Sequence, residues 1–361
     1  MLCKLSDIAP VTMGQSPSSK AYNNAESGLP FLQGRTTFGD KYPSFDTWTT
    51  EWNKEAHKGD ILFTVRAPVG DINIATTTIA IGRGIASIKP ISISTKYLFY
   101  LLSANKRNFL TSSAGTIFDS INKDALENIV LTIHKQEEQH HIVNTIGSVD
   151  DLIENLRQRI VIICNILDTS LKVYSNKVTF EHYNPKIIKS GIARFDKTKT
   201  YIDTSTLEGI NNISDGEVVE YNKRPSRANM QPIMDSVWFA KMKESNKKLI
   251  LTNQDTDLID NMILSTGFLG ILANEQLPLS FLSALIISKE FNLQRDLNSV
   301  GTTMAGVNNE TFLKMLVPLL TDKELKEYEL KYRPYIDELS LLRRKINHLK
   351  KIKAQLLSKY F

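Results

Sequence analysis

What the chain lacks narrows its function first. Its 361 residues include only two cysteines, Cys3 and Cys164, far apart and outside any C-x-x-C pair. Neither a disulfide framework nor a cysteine-built zinc site is therefore expected, and a reducing, cytoplasmic compartment fits. The six histidines include the adjacent His140 and His141 but no H-E-x-x-H helix, so the common catalytic zinc motif is missing. A phosphate-binding loop and a G-x-S-x-G elbow are absent, and Gly82-Arg83-Gly84 is only a fragment of a dinucleotide fingerprint. There is also no Asp/Asn-Pro-Pro-aromatic tetrapeptide of the kind that amino-group methyltransferases carry. Asp255, Asp257 and Asp260 are the acidic cluster that invites a metal, but in a polar loop such a cluster reads as solvated. No stretch approaches the roughly 20 apolar residues of a membrane-spanning helix, and Met1 to Gly14 lacks the basic segment and apolar core of a secretory signal. The expectation is a protein with no catalytic seat, no cofactor and no membrane partner.

What is present begins with size and charge. A chain of this length suits two domains, each large enough to bury a core. The net charge of +5 permits a nucleic-acid partner without requiring one.

The dominant feature is a repeat. "SAGTIFDSINKDALENIV" from Ser113 and "SVGTTMAGVNNETFLKML" from Ser299 align without a gap, placing Gly115-Thr116 on Gly301-Thr302 and Asn122 on Asn308. The alignment continues through Glu138 on Glu324, Asp151 on Asp337, Leu156-Arg157 on Leu342-Arg343 and Tyr174 on Tyr360. Upstream the offset slips, as loops of unequal length require: "GDILFTVR" from Gly59 resembles "DSVWFAKM" from Asp235, and "FLQGRTTFG" from Phe31 resembles "YIDTSTLEG" from Tyr201. A period this long implies a duplicated domain rather than a solenoid. The repeated Gly-Thr reads as a turn, and Asn122 and Asn308 as N-caps of the short helices that follow.

Each copy ends in the strongest periodicity of the chain. Ile142, Ile146, Val149, Ile153, Leu156, Ile160, Ile163 and Leu167 advance by alternating steps of four and three, which is a coiled-coil seam. The same positions in the second copy run from Tyr328 through Leu339, Leu342 and Ile346 to Tyr360, with one polar break at Lys353. At about 1.5 Å per residue such a helix is roughly 50 Å long, more than a domain helix ordinarily spans. A seam this narrow calls for a helical partner, and the other copy is the nearest one; periodicity leaves the parallel and antiparallel pairings both open. Pro334 predicts a kink or a late start in the second helix.

Before each helix, short β-branched runs such as "ILFTV", "DINIA", "SVWFAKM" and "KLILT" are broken by Gly, Pro and Asn, which predicts an α+β domain with an irregular sheet. The loops between them mix basic, aromatic and hydroxyl residues. Arg35, Lys41, Arg66 and Arg83 in the first half, and Lys223, Arg224, Arg227, Lys241 and Lys243 in the second, are the candidates for holding phosphates or reading base edges.

This order of parts resembles the specificity subunit of Type I restriction-modification systems. The likeness is carried by "KGDILFTVRAPVGDINIA", "SSAGTIFDSINKDALENIVLTIHKQEEQHHIVNTIGSVDDLIENLRQRI" and "RPSRANMQPIMDSVWFAKMK". The resemblance implies target-recognition domains over residues 1–135 and 179–321, and long helices over 136–178 and 322–361. It further implies that the helices pair as an antiparallel coiled coil with pseudo-two-fold symmetry. It implies no catalysis by the chain itself. Each domain would read one half of a bipartite DNA site, with the helix pair fixing the gap. The partners implied are two methyltransferase subunits that use S-adenosylmethionine and two restriction subunits that use ATP. The helix face around Ile162 and Cys164 would be the docking surface for the methyltransferase subunits. One departure is that Asp235-Ser236 stands where the first half has Gly59-Asp60. Competing readings are a duplicated coiled-coil scaffold that touches no DNA, and a nuclease or methyltransferase with an unrecognised site.

Overall fold

Short runs rich in β-branched and aromatic residues fold here into many strands of two to five residues. The computed structural model describes residues 1–106, 120–214, 216–301 and 305–361. They divide into one unit of Met1–Leu152 with Lys350–Phe361 and another of Ile153–Leu349. Gly115, Thr116 and Thr302 of the repeated Gly-Thr lie outside the described residues.

In the first unit an antiparallel sheet runs in the order Val11–Met13, Ile85–Ile88, Ile61–Thr64, Ile72–Ile74. A second sheet runs Tyr22–Asn23, Trp48–Thr49, Leu29–Leu32, Ile79–Ile81, Glu55–Ala56, with one parallel pairing that puts Phe31 opposite Ala80. A two-stranded ribbon joins Leu2–Lys4 to Val130–Thr132. Helix Thr95–Asn105 buries Tyr97 to Leu102 in a core shared with Phe63, Ile142 and Ile146.

The second unit repeats the pattern. Lys186–Ile187, Phe268–Leu272, Ser236–Ala240 and Lys248–Leu251 form an antiparallel sheet in that order. Glu217–Val219, Lys199–Ile202, Met262–Ser265 and Ala228–Met230 form the other, again with one parallel pairing, Tyr201 opposite Ile263. The ribbon is Lys177–Thr179 with Leu316–Pro318. Asn122 and Asn308 each cap the short helix after them, accepting from Ala125 N and Thr311 N at 2.8 Å. The departure at Asp235-Ser236 is conservative in backbone terms. Gly59 has φ +92° and Asp235 φ +51°, and Asp is among the few residues that tolerate this left-handed turn.

The long helices are Gln136–Ser170 and Asp322–Tyr360. Within the first unit His141 meets Tyr360, and Asp150 meets Lys353 at 2.6 Å. Within the second, Arg159 meets Glu338 and Ser170 meets Tyr328. In both units the helices therefore meet with opposite chain direction. Two expectations need correction. The second helix does not start late, and it runs on through Pro334. Thr321 and Glu324 cap it, and Pro334 and Leu330, four residues earlier, are exposed, so the lost backbone bond falls on the solvent side. The second helix also buries more than a narrow seam, because Ile336, Ser340 and Arg343 pack onto the second unit's globular part.

Candidate nucleic-acid interface

Three loops of the first unit are laced together by their backbones. Val65 N donates to the Gly84 carbonyl at 2.9 Å, and Gly84 N donates to the Gln33 carbonyl at 3.1 Å. A Cβ at Gly84 would lie 2.3 Å from that Gln33 oxygen, so glycine alone allows the approach. The lacing brings Arg35, Arg66 and Arg83, scattered in sequence, to the exposed tips of adjoining loops. Arg35 Nη1 rests on Asp71 Oδ2 at 2.7 Å, and Lys106 takes the other oxygen of the same carboxylate. Burial pushes the Asp71 carboxyl up, but the hydrogen bonds and charges of Lys106 and Arg35 outweigh it and hold the group below the ordinary carboxylate range. Lys41 faces elsewhere: its side chain is 13% exposed and lies 3.8 Å from Asp150 of the first long helix.

The second unit builds the same junction from other residues. Lys241 N donates to the Gly267 carbonyl at 3.0 Å, the counterpart of the Val65–Gly84 bond. Ala240 N donates to Lys247 O at 3.0 Å as Thr64 N does to Asp71 O at 2.9 Å, so Lys247 stands where the first unit has Asp71. On the same grounds Thr266 occupies the place of Arg83, and Ser205 that of Arg35. Lys241 Nζ donates to the Thr266 carbonyl at 2.9 Å, Thr266 N donates to Arg227 O at 2.9 Å, and Lys247 Nζ donates to Thr204 O. Arg227 and Lys241 thus flank the turn at Thr266, and Lys247 holds the loop at Thr204. Burial, reinforced by the Arg227 charge, pushes the Lys241 amine down.

The other second-half candidates are placed differently. Lys243 is exposed beside Glu244, and Lys223 is exposed and paired with Glu220 at 3.0 Å. Arg224 stacks on the Tyr221 ring at 4.1 Å and donates to the carbonyls of Tyr221 and Ala228, so it braces its own loop. Asp71 and Lys106 escaped a reading of the sequence that sought cations in loops, Asp71 because it is an acid and Lys106 because it gains its place only through the fold; Lys247 lies in a basic loop stretch but does not stand out there from its neighbours.

The acidic cluster also needs correction. Asp255 is not solvated: its carboxylate is buried, paired with the equally buried Arg343 at 2.7 Å and bonded to Thr252 and Ser340. Burial raises its pKa, and Arg343 with these hydrogen bonds lowers it further than burial raises it. Asp257 and Asp260 are exposed, and among the described residues no group of His, Cys, Asp and Glu could hold a metal. Nor is any helix among them long and apolar enough to cross a membrane. On the first long helix Val161 and Ile162 are exposed, while Cys164 is largely covered, its thiol pushed up to about 11 by burial.

Residues 1–163 match the Type I restriction modification DNA specificity domain. The MjaX protein of Methanocaldococcus jannaschii, named as a type I restriction enzyme specificity subunit, is 41% identical over 150 residues, 41% of this chain and 35% of that protein. The MjaIX specificity subunit of the same organism is 26% identical over 168 residues, 43% of this chain and 39% of that protein. The matched stretch is thus little more than a third of either relative's length. Over the whole fold the chain resembles the crystal structure of a Type I restriction-modification S subunit from M. genitalium. That match has a TM-score of 0.50 at 16% identity and covers 100% of this chain and 96% of that one.

Proposed function

We propose that the chain is a non-catalytic DNA sequence-specificity subunit that reads a bipartite duplex site and directs modification and restriction subunits to it. The observation that carries this reading is the repeated loop junction, cationic in both units, in a chain whose residues 1–163 match a DNA specificity domain. Residues 1–135 and 179–321 are assigned one half-site each, and the helices within 136–178 and 322–361 the gap between them. Two recognition units on one spacer gain affinity because the second engagement is intramolecular. Arg35, Arg66 and Arg83 are assigned to the first half-site, and Arg227, Lys241, Lys243 and Lys247 to the second. Lys41, Lys223 and Arg224 hold their loops in place. The exposed helix face at Val161 and Ile162 is assigned to two methyltransferase subunits, which use S-adenosylmethionine; two ATP-using restriction subunits complete the assembly.

The decisive experiment is to co-express the chain with the methyltransferase subunit encoded beside it and to map methylated adenines across the host DNA. The expected result is one motif of two short half-sites separated by a fixed gap. Methylation without a motif, or a stable complex that methylates nothing, refutes the reading.

A further inference from the structure

Building on that reading, we propose that Asp71 is a positioning residue that presents Arg35 to a guanine in the first half-site. Asp71 stands on a rigid base. Its backbone N donates to the Thr64 hydroxyl at 2.8 Å, Thr64 N donates back to the Asp71 carbonyl at 2.9 Å, and the same hydroxyl donates to Pro68 O at 2.9 Å. Thr64 itself is buried. The carboxylate engages Arg35 through Nη1, while the Arg35 side chain as a whole is 55% exposed. A guanidinium carries five donors in a planar fork, so a partner at one nitrogen leaves an edge able to meet guanine O6 and N7 together. A free arginine would have to surrender its rotamer freedom on binding; one already held by a carboxylate has little left to lose.

The duplication supplies independent support. Lys247 occupies the place of Asp71 in the second unit, and it too holds the tip of the equivalent loop, through the Thr204 carbonyl. The bridge is retained while its charge is inverted, as expected if this position sets the attitude of the loop rather than simply adding charge. Ser205, in the place of Arg35, turns its hydroxyl onto Asp203 at 2.6 Å, so the second unit lacks an arginine there. The two half-sites should therefore differ at this position.

The test is the methylation map made with the full chain and its methyltransferase partner, comparing wild type with Arg35→Ala, Asp71→Asn, Asp71→Glu and Lys106→Met. The wild-type map is expected to contain a guanine in one half-site that both Arg35→Ala and Asp71→Asn relax, lowering preference there about tenfold or more. The other half-site should remain intact. Asp71→Glu should retain part of the preference, and Lys106→Met, which spares the Arg35 contact, most of it. An Asp71→Asn map identical to wild type overturns the proposal. So does one in which all sites lose methylation equally, since that is the mark of a merely structural role. A wild-type map with no bipartite motif overturns the functional reading itself, and the inference falls with it.

Discussion

At the scale of single residues, the second unit carries unusual buried charge. Lys248 is 2% exposed, and its amine donates to the Ile287 carbonyl at the end of helix Leu279–Ile287, over the Phe291 ring. Burial and the nearby Arg295 lower its pKa from 10.5 to about 7, against the smaller opposing pull of Cys164, Asp168 and Asp296. Between those two pH values the unfolded chain binds more protons than the folded one, so stability rises as pH climbs from 7 toward 10.5. The gain is at most about 1.4 kcal/mol per pH unit. Chemical denaturation across this range should show that rise in the wild type and lose it in Lys248→Met, while unfolding curves of unchanged pH slope would show that the amine stays charged. Arg343 and Asp255 are different in kind: each is buried opposite a partner, where removing one side of such a pair typically costs about 3–5 kcal/mol. Neither the lysine nor the pair stands out in sequence, where both look like ordinary charged residues.

At the scale of elements, the helices explain an anomaly of their own seam. Lys353 interrupts the apolar repeat, and the fold answers it with Asp150, 10% exposed, which also accepts from Tyr100 Oη at 2.7 Å and lies near Lys41. By the repeat, the corresponding positions in the other copy are Leu167 and Ile336, both buried and apolar. An ion pair has thus been exchanged for a hydrophobic pair. Removing one charge leaves the other stranded in a covered site, whereas replacing both with apolar residues removes the problem. Lys353→Leu alone should therefore destabilise by about 1–3 kcal/mol, and Asp150→Leu with Lys353→Leu by less than either change alone. Equilibrium unfolding of the four proteins of this cycle gives the coupling directly, and simple additivity would mean the pair does not interact. The periodicity placed these helices well; the breadth of the second helix's buried stripe was hidden, because Ser340 and Arg343 look like solvent-facing residues until the sheet they pack on is known.

At the scale of the whole molecule, the reading depends on charge spread over many loops rather than on a single catalytic group. Contacts to phosphates release counterions, so binding should weaken steeply as salt rises. Replacing Arg66 or Lys243 with alanine, each exposed at or beside a loop junction, should reduce the slope of log affinity against log salt by about 1. The same substitution at Arg224, which braces its own loop, should affect folding more than the slope. Binding isotherms at several salt concentrations distinguish these outcomes, and an unchanged slope at both Arg66 and Lys243 would remove them from the interface.

The sequence by itself determined the duplication, the two long helices and the class of domain. All three rest on local signals: a fixed offset, a heptad period, and capped turns whose residues sit next to one another in the chain. Only the tertiary structure decided which charged residues share a site. Arg35, Asp71 and Lys106 lie 36 and 35 residues apart in turn, and the loop that carries Lys241 and Lys247 meets Arg227 and Thr204 from other segments, so backbone hydrogen bonds across the sheet bring these groups together. Periodicity reports which face of an element is buried; it carries no information about which loop ends up beside which, because that depends on long-range strand pairing.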